Sequence, residues 1–180
     1  MKISVYGSAS GKFSEELIER TMEIGREIAR QKHILITGGC PGLPYQAVLG
    51  AMELKGKVIG YSPAVDLKSH KALDYPTQGF SKLIFIPKNY LYKDNIMACR
   101  KYRNISSVLA CDAAIFIAGR SGTLNEFTNA YDFSKIIGVL DGSGGISGEI
   151  PAILNAFERK MNANVVIEKD PLALVRKITQ

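Results

Sequence analysis

Asp112-Ala113-Ala114-Ile115-Phe116-Ile117-Ala118-Gly119-Arg120-Ser121-Gly122-Thr123-Leu124-Asn125-Glu126 is the stretch whose reading decides the fold. Residues 113–117 are apolar without alternation, the pattern of a strand covered on both faces. A turn of small residues around Gly119 and Gly122 follows at once, and residues 123–134 take a helical pattern. A doubly covered strand that turns straight into a helix is the βα unit of a parallel sheet.

The same unit recurs on either side. Residues 2–6 form a short strand ending in Gly7-Ser8-Ala9-Ser10-Gly11. Over residues 14–31, Leu17, Thr21, Ile24 and Ile28 recur at helical spacing, and Ser14 suits the helix start. Residues 33–37 read as a second strand, closed by Gly38-Gly39-Cys40-Pro41-Gly42. Pro44 fits the first turn of the next helix, which runs to about Leu54. A third strand spans 57–61. Residues 62–81 are irregular, with Pro63, Pro76, Gly79 and one helical turn near Leu67. Then come a strand at 82–86, a helix at 95–110, the strand and helix quoted above, and a strand at 136–140. A glycine-rich loop at 141–148 leads to a helix ending near Lys160, a strand at 164–167 and a last helix from Pro171. This predicts one α/β domain over residues 1–180, a Rossmann-like doubly wound parallel sheet of about seven strands with helices on both faces.

Composition agrees with a soluble globular protein: 180 residues, 46% hydrophobic and 22% charged. The net charge of +6 is mild and favours anionic ligands. Arg100-Lys101-Tyr102-Arg103 is the densest basic run and is too short for a nucleic-acid stripe, so no nucleic-acid partner is expected. Arg100 and Lys101 read equally as a solvated helix face. Cys40, Cys99 and Cys111 are odd in number and lack CxxC spacing, which indicates neither a disulfide framework nor a zinc site. With only His33 and His70 besides, a Cys/His hydrolase is not indicated. Residues 1–6 already read as a strand rather than a signal peptide, and no apolar run approaches the ~20 residues that span a bilayer. The expected location is cytoplasmic, with no membrane partner.

Ligands of open parallel sheets bind beyond the carboxyl ends of the strands, where these glycine loops fall. Glycines either turn tight βα corners or let backbone N–H groups approach an anion. Four such loops at one sheet edge predict a phosphate site. The first loop does not read GxGxxG, no acid ends the second strand, and no Walker A sequence occurs, so NAD is disfavoured and neither cofactor nor metal is expected. Gly119, Arg120, Ser121, Gly122 and Thr123 would cradle the phosphate. Glu126 reads either as a carboxylate facing the same cleft or as a capping-box glutamate reaching back to Thr123. Arg103 reads either as a partner of the phosphate or Glu126, or as a surface salt bridge.

These residues resemble the LOG/SLOG superfamily: the Lonely Guy phosphoribohydrolases, lysine-decarboxylase-like Rossmann proteins, with nucleotide-sensing and molybdenum-cofactor-carrier relatives. Gly7-Ser8-Ala9-Ser10-Gly11 is similar to the family's first-strand loop, and Gly38-Gly39-Cys40-Pro41-Gly42-Leu43 to its GGG-x-x-GL loop. Gly119 to Glu126 is similar to its PGGxGTxxE motif, and Arg103 falls at the family arginine. The resemblance covers nearly the whole chain. It implies cleavage of the N-glycosidic bond of a nucleoside 5′-monophosphate, with Glu126 and Arg103 catalytic and Gly7, Ser8, Gly38, Gly39, Gly119, Arg120, Ser121, Gly122 and Thr123 holding the phosphorylated ligand. It also implies a homodimer, with Phe127, Tyr131 and Phe133 read either as interface or as core. The same loops without hydrolysis would make a carrier or sensor. A pyridoxal-type lysine decarboxylase is excluded, because no motif supplies its Schiff-base lysine. Two residues depart from the pattern. Arg120 replaces a glycine and would either contact the phosphate or fill its space. Tyr45 replaces the last glycine of the second loop and would either stack on a base or shut it out.

Overall fold

Seven parallel strands lie side by side: β1 (Lys2–Gly7), β2 (Ile34–Thr37), β3 (Lys57–Tyr61), β4 (Lys82–Ile84), β5 (Ala113–Ile117), β6 (Ile136–Leu140) and β7 (Val165–Glu168). Between and after them run α1 (Glu15–Arg30), α2 (Leu43–Glu53), α3 (Leu67–Ala72), α4 (Ile96–Ala110), α5 (Ser121–Asp132), α6 (Gly145–Ala156) and α7 (Pro171–Ile178). These come from a computed structural model that describes residues 1–158 and 161–180.

The sheet order is β4-β3-β2-β1-β5-β6-β7. From β1 the chain winds outward to β4, returns to the centre at β5, and winds the other way to β7. The winding reverses between β1 and β5, and this is where a doubly wound sheet opens a crevice. Gly7 pairs with Ile117, so both central strands end at one level. A Cβ on Gly7 would lie 2.5 Å from the Ile117 carbonyl oxygen, which leaves room for glycine alone.

Each face of the sheet has its own core. On one, Ile24 and Ile28 of α1, Leu43 and Val48 of α2 and Leu174 and Val175 of α7 cover Ile3, Val5 and Ile115. On the other, Val108, Phe127, Ala130 and Ile150 of α4, α5 and α6 cover Tyr6, Phe116 and Ile137. Each buried large side chain stabilises the fold by about 1.5–3 kcal/mol. Phe127 and Tyr131 therefore belong to the core, while Phe133 is exposed.

Ser14 caps α1 as its sequence predicts, and α3, α4 and α7 carry side-chain caps as well. The Ser14 hydroxyl accepts from the Leu17 N–H at 3.2 Å, and Asn95 Oδ1 accepts from Met97 and Ala98 at 3.0 and 3.1 Å. Asp170 caps α7 ahead of Pro171. The differences from the sequence reading lie at element ends. β4 stops at Ile84 because it is an edge strand paired only along its first residues with β3. α5 starts at Ser121, two residues before Thr123, and β7 is displaced by one residue. α6 ends at Ala156, and Lys160, where it was expected to end, lies outside the described residues.

Candidate functional site

The loops after β1, β2 and β5 surround a cavity of about 500 Å³ at the switch point. Gly7, Ser8, Ser10, Gly38 and Cys40 form one side, and Arg120, Ser121, Gly122, Thr123 and Glu126 another. The N-terminal half of α4 closes it with Met97, Arg100, Lys101, Arg103 and Asn104.

The start of α5 differs from the capped helices. Its N-cap, Arg120, makes no side-chain capping bond, and the first backbone bond runs from the Leu124 N–H to the Arg120 carbonyl at 2.9 Å. The N–H groups of Ser121, Gly122 and Thr123 thus have no partner in the helix, and all three residues line the cavity. They sit at the positive end of the helix dipole, a ready anion site.

This geometry needs a sharp turn. Ala118 has φ 51° and Gly119 φ 96°, and a Cβ on Gly119 would lie 2.5 Å from that of Thr123. A left-handed alanine costs about 1–2 kcal/mol. The loop after β6 holds it from behind. Ser143 Oγ accepts from the Ala118 N–H at 2.9 Å, and the Ser147 N–H and hydroxyl both donate to the Ala118 carbonyl at 3.0 and 2.8 Å. The Ile146 N–H donates to the Gly119 carbonyl at 3.0 Å. That fourth glycine loop does not line the cavity. Three loops, not four, face the ligand space.

The predicted site residues divide accordingly. Gly7, Ser8, Gly38, Arg120, Ser121, Gly122, Thr123, Arg103 and Glu126 come together on the cavity wall, while Gly39 and Gly119 lie behind it and shape the turns. Ser8 Oγ accepts from the Gly119 N–H at 3.0 Å and ties the two central loops together. Arg120 does not fill the turn: its Nη2 reaches the Ser10 hydroxyl at 2.6 Å and leaves the guanidinium at the rim.

Glu126 is only 6% exposed. The capping-box reading fails, because Thr123 is the third residue of α5 and Arg120 holds the cap position. Burial pushes the Glu126 carboxyl up to about 7, while Arg103 and Lys101 pull in the opposite direction. Arg103 is not a surface salt bridge either. Its Nη1 donates to the Gly38 carbonyl at 2.9 Å, and its buried Nε has no partner among the described residues. Burial works against its charge, but Glu126 and other nearby groups outweigh it and hold the guanidinium protonated. A Cβ on residue 38 would lie 1.6 Å from Nη1, so Gly38 is what lets Arg103 lie here. Beside it, buried Asn104 donates to Asn125 Oδ1 at 3.0 Å, and its own Oδ1 has no partner among the described residues.

Burial also pushes the Cys40 thiol up, which keeps it protonated and a poor nucleophile. Tyr45 stacks on Phe80 against the core, at 6.3 Å between ring centroids, and is not on the wall. The aromatic residue at the mouth is Tyr75, which the sequence did not single out. His70 supports it edge-on at 5.5 Å and is itself pinned by Ser62 Oγ at 2.8 Å and the Pro76 carbonyl at 3.0 Å. A buried histidine five residues before a Tyr-Pro pair is a weak signal that only the folded loop makes readable. Among the described residues no cluster of His, Cys, Asp or Glu could hold a metal ion, and no helix is long and apolar enough to cross a membrane.

The architecture is shared with solved structures, among them these three. The structural-genomics target TM1055 superposes with a TM-score of 0.82 at 20% identity, covering 99% of this chain and 98% of that one. A molybdenum cofactor binding protein from Rippkaea orientalis gives 0.72 at 23% identity, covering 99% and 97%. DNA processing protein A from Helicobacter pylori, described as binding single-stranded DNA, gives 0.69 at 17% identity, covering 99% and 80%. At these identities the likeness shows the fold. No curated protein sequence matches the chain. The SLOG cluster4 family matches residues 1–175, nearly the full length, and the chain belongs to that family, within the LOG/SLOG superfamily.

Proposed function

We propose that the cavity binds a nucleoside 5′-monophosphate unit and that Glu126 and Arg103 cleave its N-glycosidic bond, giving free base and ribose 5-phosphate. The observation that carries this reading is the buried Glu126, held one helical turn beyond three N–H groups that have no partner within α5, in a single cavity. The phosphate sits on the N–H groups of Ser121, Gly122 and Thr123, with Arg120 at the rim. This fixes the sugar and places C1′ toward Glu126. As the bond from C1′ to the base nitrogen breaks, its electron pair leaves with the base and positive charge develops on the ribose. Ionised Glu126 stabilises that charge and takes a proton from the water whose oxygen bonds to C1′. The proton passes on to the departing nitrogen. Arg103 positions Glu126 electrostatically, and Tyr75 offers the base a face.

A carrier or sensor that binds without hydrolysis is the second reading. It is favoured by Arg103 being tied to the Gly38 carbonyl rather than to Glu126, with no ion pair between them within 4.0 Å among the described residues. The expectation that nucleic acid is excluded has no support from the fold, since the DNA processing protein shares it; oligonucleotides belong in the ligand panel. A homodimer is part of the same proposal; a light-scattering mass of twice 19.7 kDa is expected, and a mass of 19.7 kDa would overturn it. The decisive test is incubation with a panel of nucleoside 5′-monophosphates, with free base read by chromatography. Release well above a Glu126→Ala control supports the hydrolase. Thermal stabilisation without release supports the carrier.

A further inference from the structure

The cavity holds more positive charge than one phosphate needs. Arg100, Lys101, Arg103 and Arg120 line it against a single carboxylate, Glu126. Among the described residues none of these four is in an ion pair, whereas Arg26, Arg30, Arg176 and Lys177 each hold a carboxylate elsewhere. Arg103 and Arg120 donate to neutral oxygens, so Glu126 is the negative charge that Arg103 and Lys101 share. Among the described residues Arg100 meets the Met97 sulfur, at 3.6 Å. Like charges gathered around a cavity repel unless an anion enters it.

A phosphate monoester brings about −1.5 to −2 charges, which the start of α5 and Arg120 match. Arg100 and Lys101 remain, on α4. Met97, Arg100, Lys101 and Asn104 follow one another at helical spacing and present one face of α4 to the cavity. Asn104 is 3% exposed, and its unpartnered Oδ1 is an acceptor for a ligand hydroxyl or amino group next to these cations.

We propose that the nucleotide held here carries a second phosphate, bound by Arg100 and Lys101 of α4. Its chemical class is a nucleoside diphosphate or bisphosphate. This inference rests on the reading that the start of α5 takes the 5′-phosphate.

Isothermal titration with adenosine 5′-monophosphate, adenosine 5′-diphosphate and adenosine 3′,5′-bisphosphate tests it. At least one doubly phosphorylated nucleotide is expected to bind about tenfold more tightly than the monophosphate, with a gap that narrows as salt rises. Whichever of the two binds more tightly locates the second phosphate on the nucleotide. In Arg100→Gln and in Lys101→Gln, both at partly or fully exposed positions, that gap is expected to shrink to about twofold or less. Equal affinity for the monophosphate and both doubly phosphorylated ligands overturns the inference and leaves the proposed function standing. A gap that survives both substitutions overturns the assignment to α4. Failure of all three ligands to bind overturns the nucleotide reading, and this inference with it. An oligothymidylate that binds more tightly than every mononucleotide overturns it in favour of a single-stranded nucleic acid.

Discussion

Two neighbouring loops, one after β5 and one after β6, are both rich in glycine and both lead into a helix, yet only the first faces a cavity. Gly119 turns the chain so that the N–H groups of Ser121, Gly122 and Thr123 open onto the switch point. Gly142, Gly144 and Gly145 also have positive φ, but their loop spends its backbone groups on Ala118 and Gly119. One loop presents donors and the other holds it in place. Glycine content reports a tight turn; whether that turn meets a ligand is decided by its strand's place in the sheet order.

The largest expected contrast is between the carboxylates of the two helices. Glu126 of α5 is buried on the cavity wall, whereas Glu149 of α6 is exposed. If the proposed hydrolysis operates, Glu126→Gln lowers base release by about 10²–10⁴-fold. Glu149→Gln leaves it within about twofold of the parent, since it touches nothing in the cavity. Steady-state rates with a monophosphate substrate check the pair, and equal losses would break the comparison.

The second contrast is in pH. The folded-state carboxyl of Glu126 titrates near about 7, above the ordinary 4.5. Its stability contribution is therefore fully present below pH 4.5 and is lost as pH rises through about 7. Denaturant unfolding is expected to show Glu126→Gln gaining about 3 kcal/mol on the parent between those limits. Activity follows the opposite sign: the ionised carboxylate is the working form, so base release rises as pH rises through about 7.

A third test compares the turns. Gly119→Ala places a Cβ against Thr123 at positive φ and is expected to cost about 3 kcal/mol of stability and to abolish ligand binding. At Gly142 a Cβ would meet only Arg20 Nη1, at 4.0 Å, so Gly142→Ala costs about 1–2 kcal/mol and spares binding. The smallest effect is the sharpest. Gly122 and Gly148 both lie in helices and have open space where a Cβ would go. Alanine at either position is expected to stabilise the fold by about 0.4–1 kcal/mol. Only Gly122→Ala should weaken the ligand, because its methyl group enters the phosphate space.

The sheet was legible because its strands are apolar without alternation and its turns are marked by glycine. Gly119 to Glu126 could be placed at a strand end for the same reason. Side-chain direction was not legible. Tyr45 and Tyr75 are equally aromatic, and the packing of Phe80 and His70 sets one against the core and the other at the mouth. Arg100 and Lys101 read equally as a solvated face or as part of an anion site, because the sequence does not say which side of α4 meets the cavity. The capping reading of Glu126 was lost when α5 began two residues earlier than its periodicity suggested.

The central claim is that the start of α5, not the loop behind it, takes a phosphate. A crystal structure of the protein soaked with adenosine 5′-monophosphate tests this most directly. The account predicts phosphate oxygens within hydrogen-bonding distance of the Gly122 and Thr123 N–H groups, with the ribose toward Glu126. A phosphate on the Gly142 to Gly145 loop, or a saturating soak that leaves the α5 start empty, would contradict it.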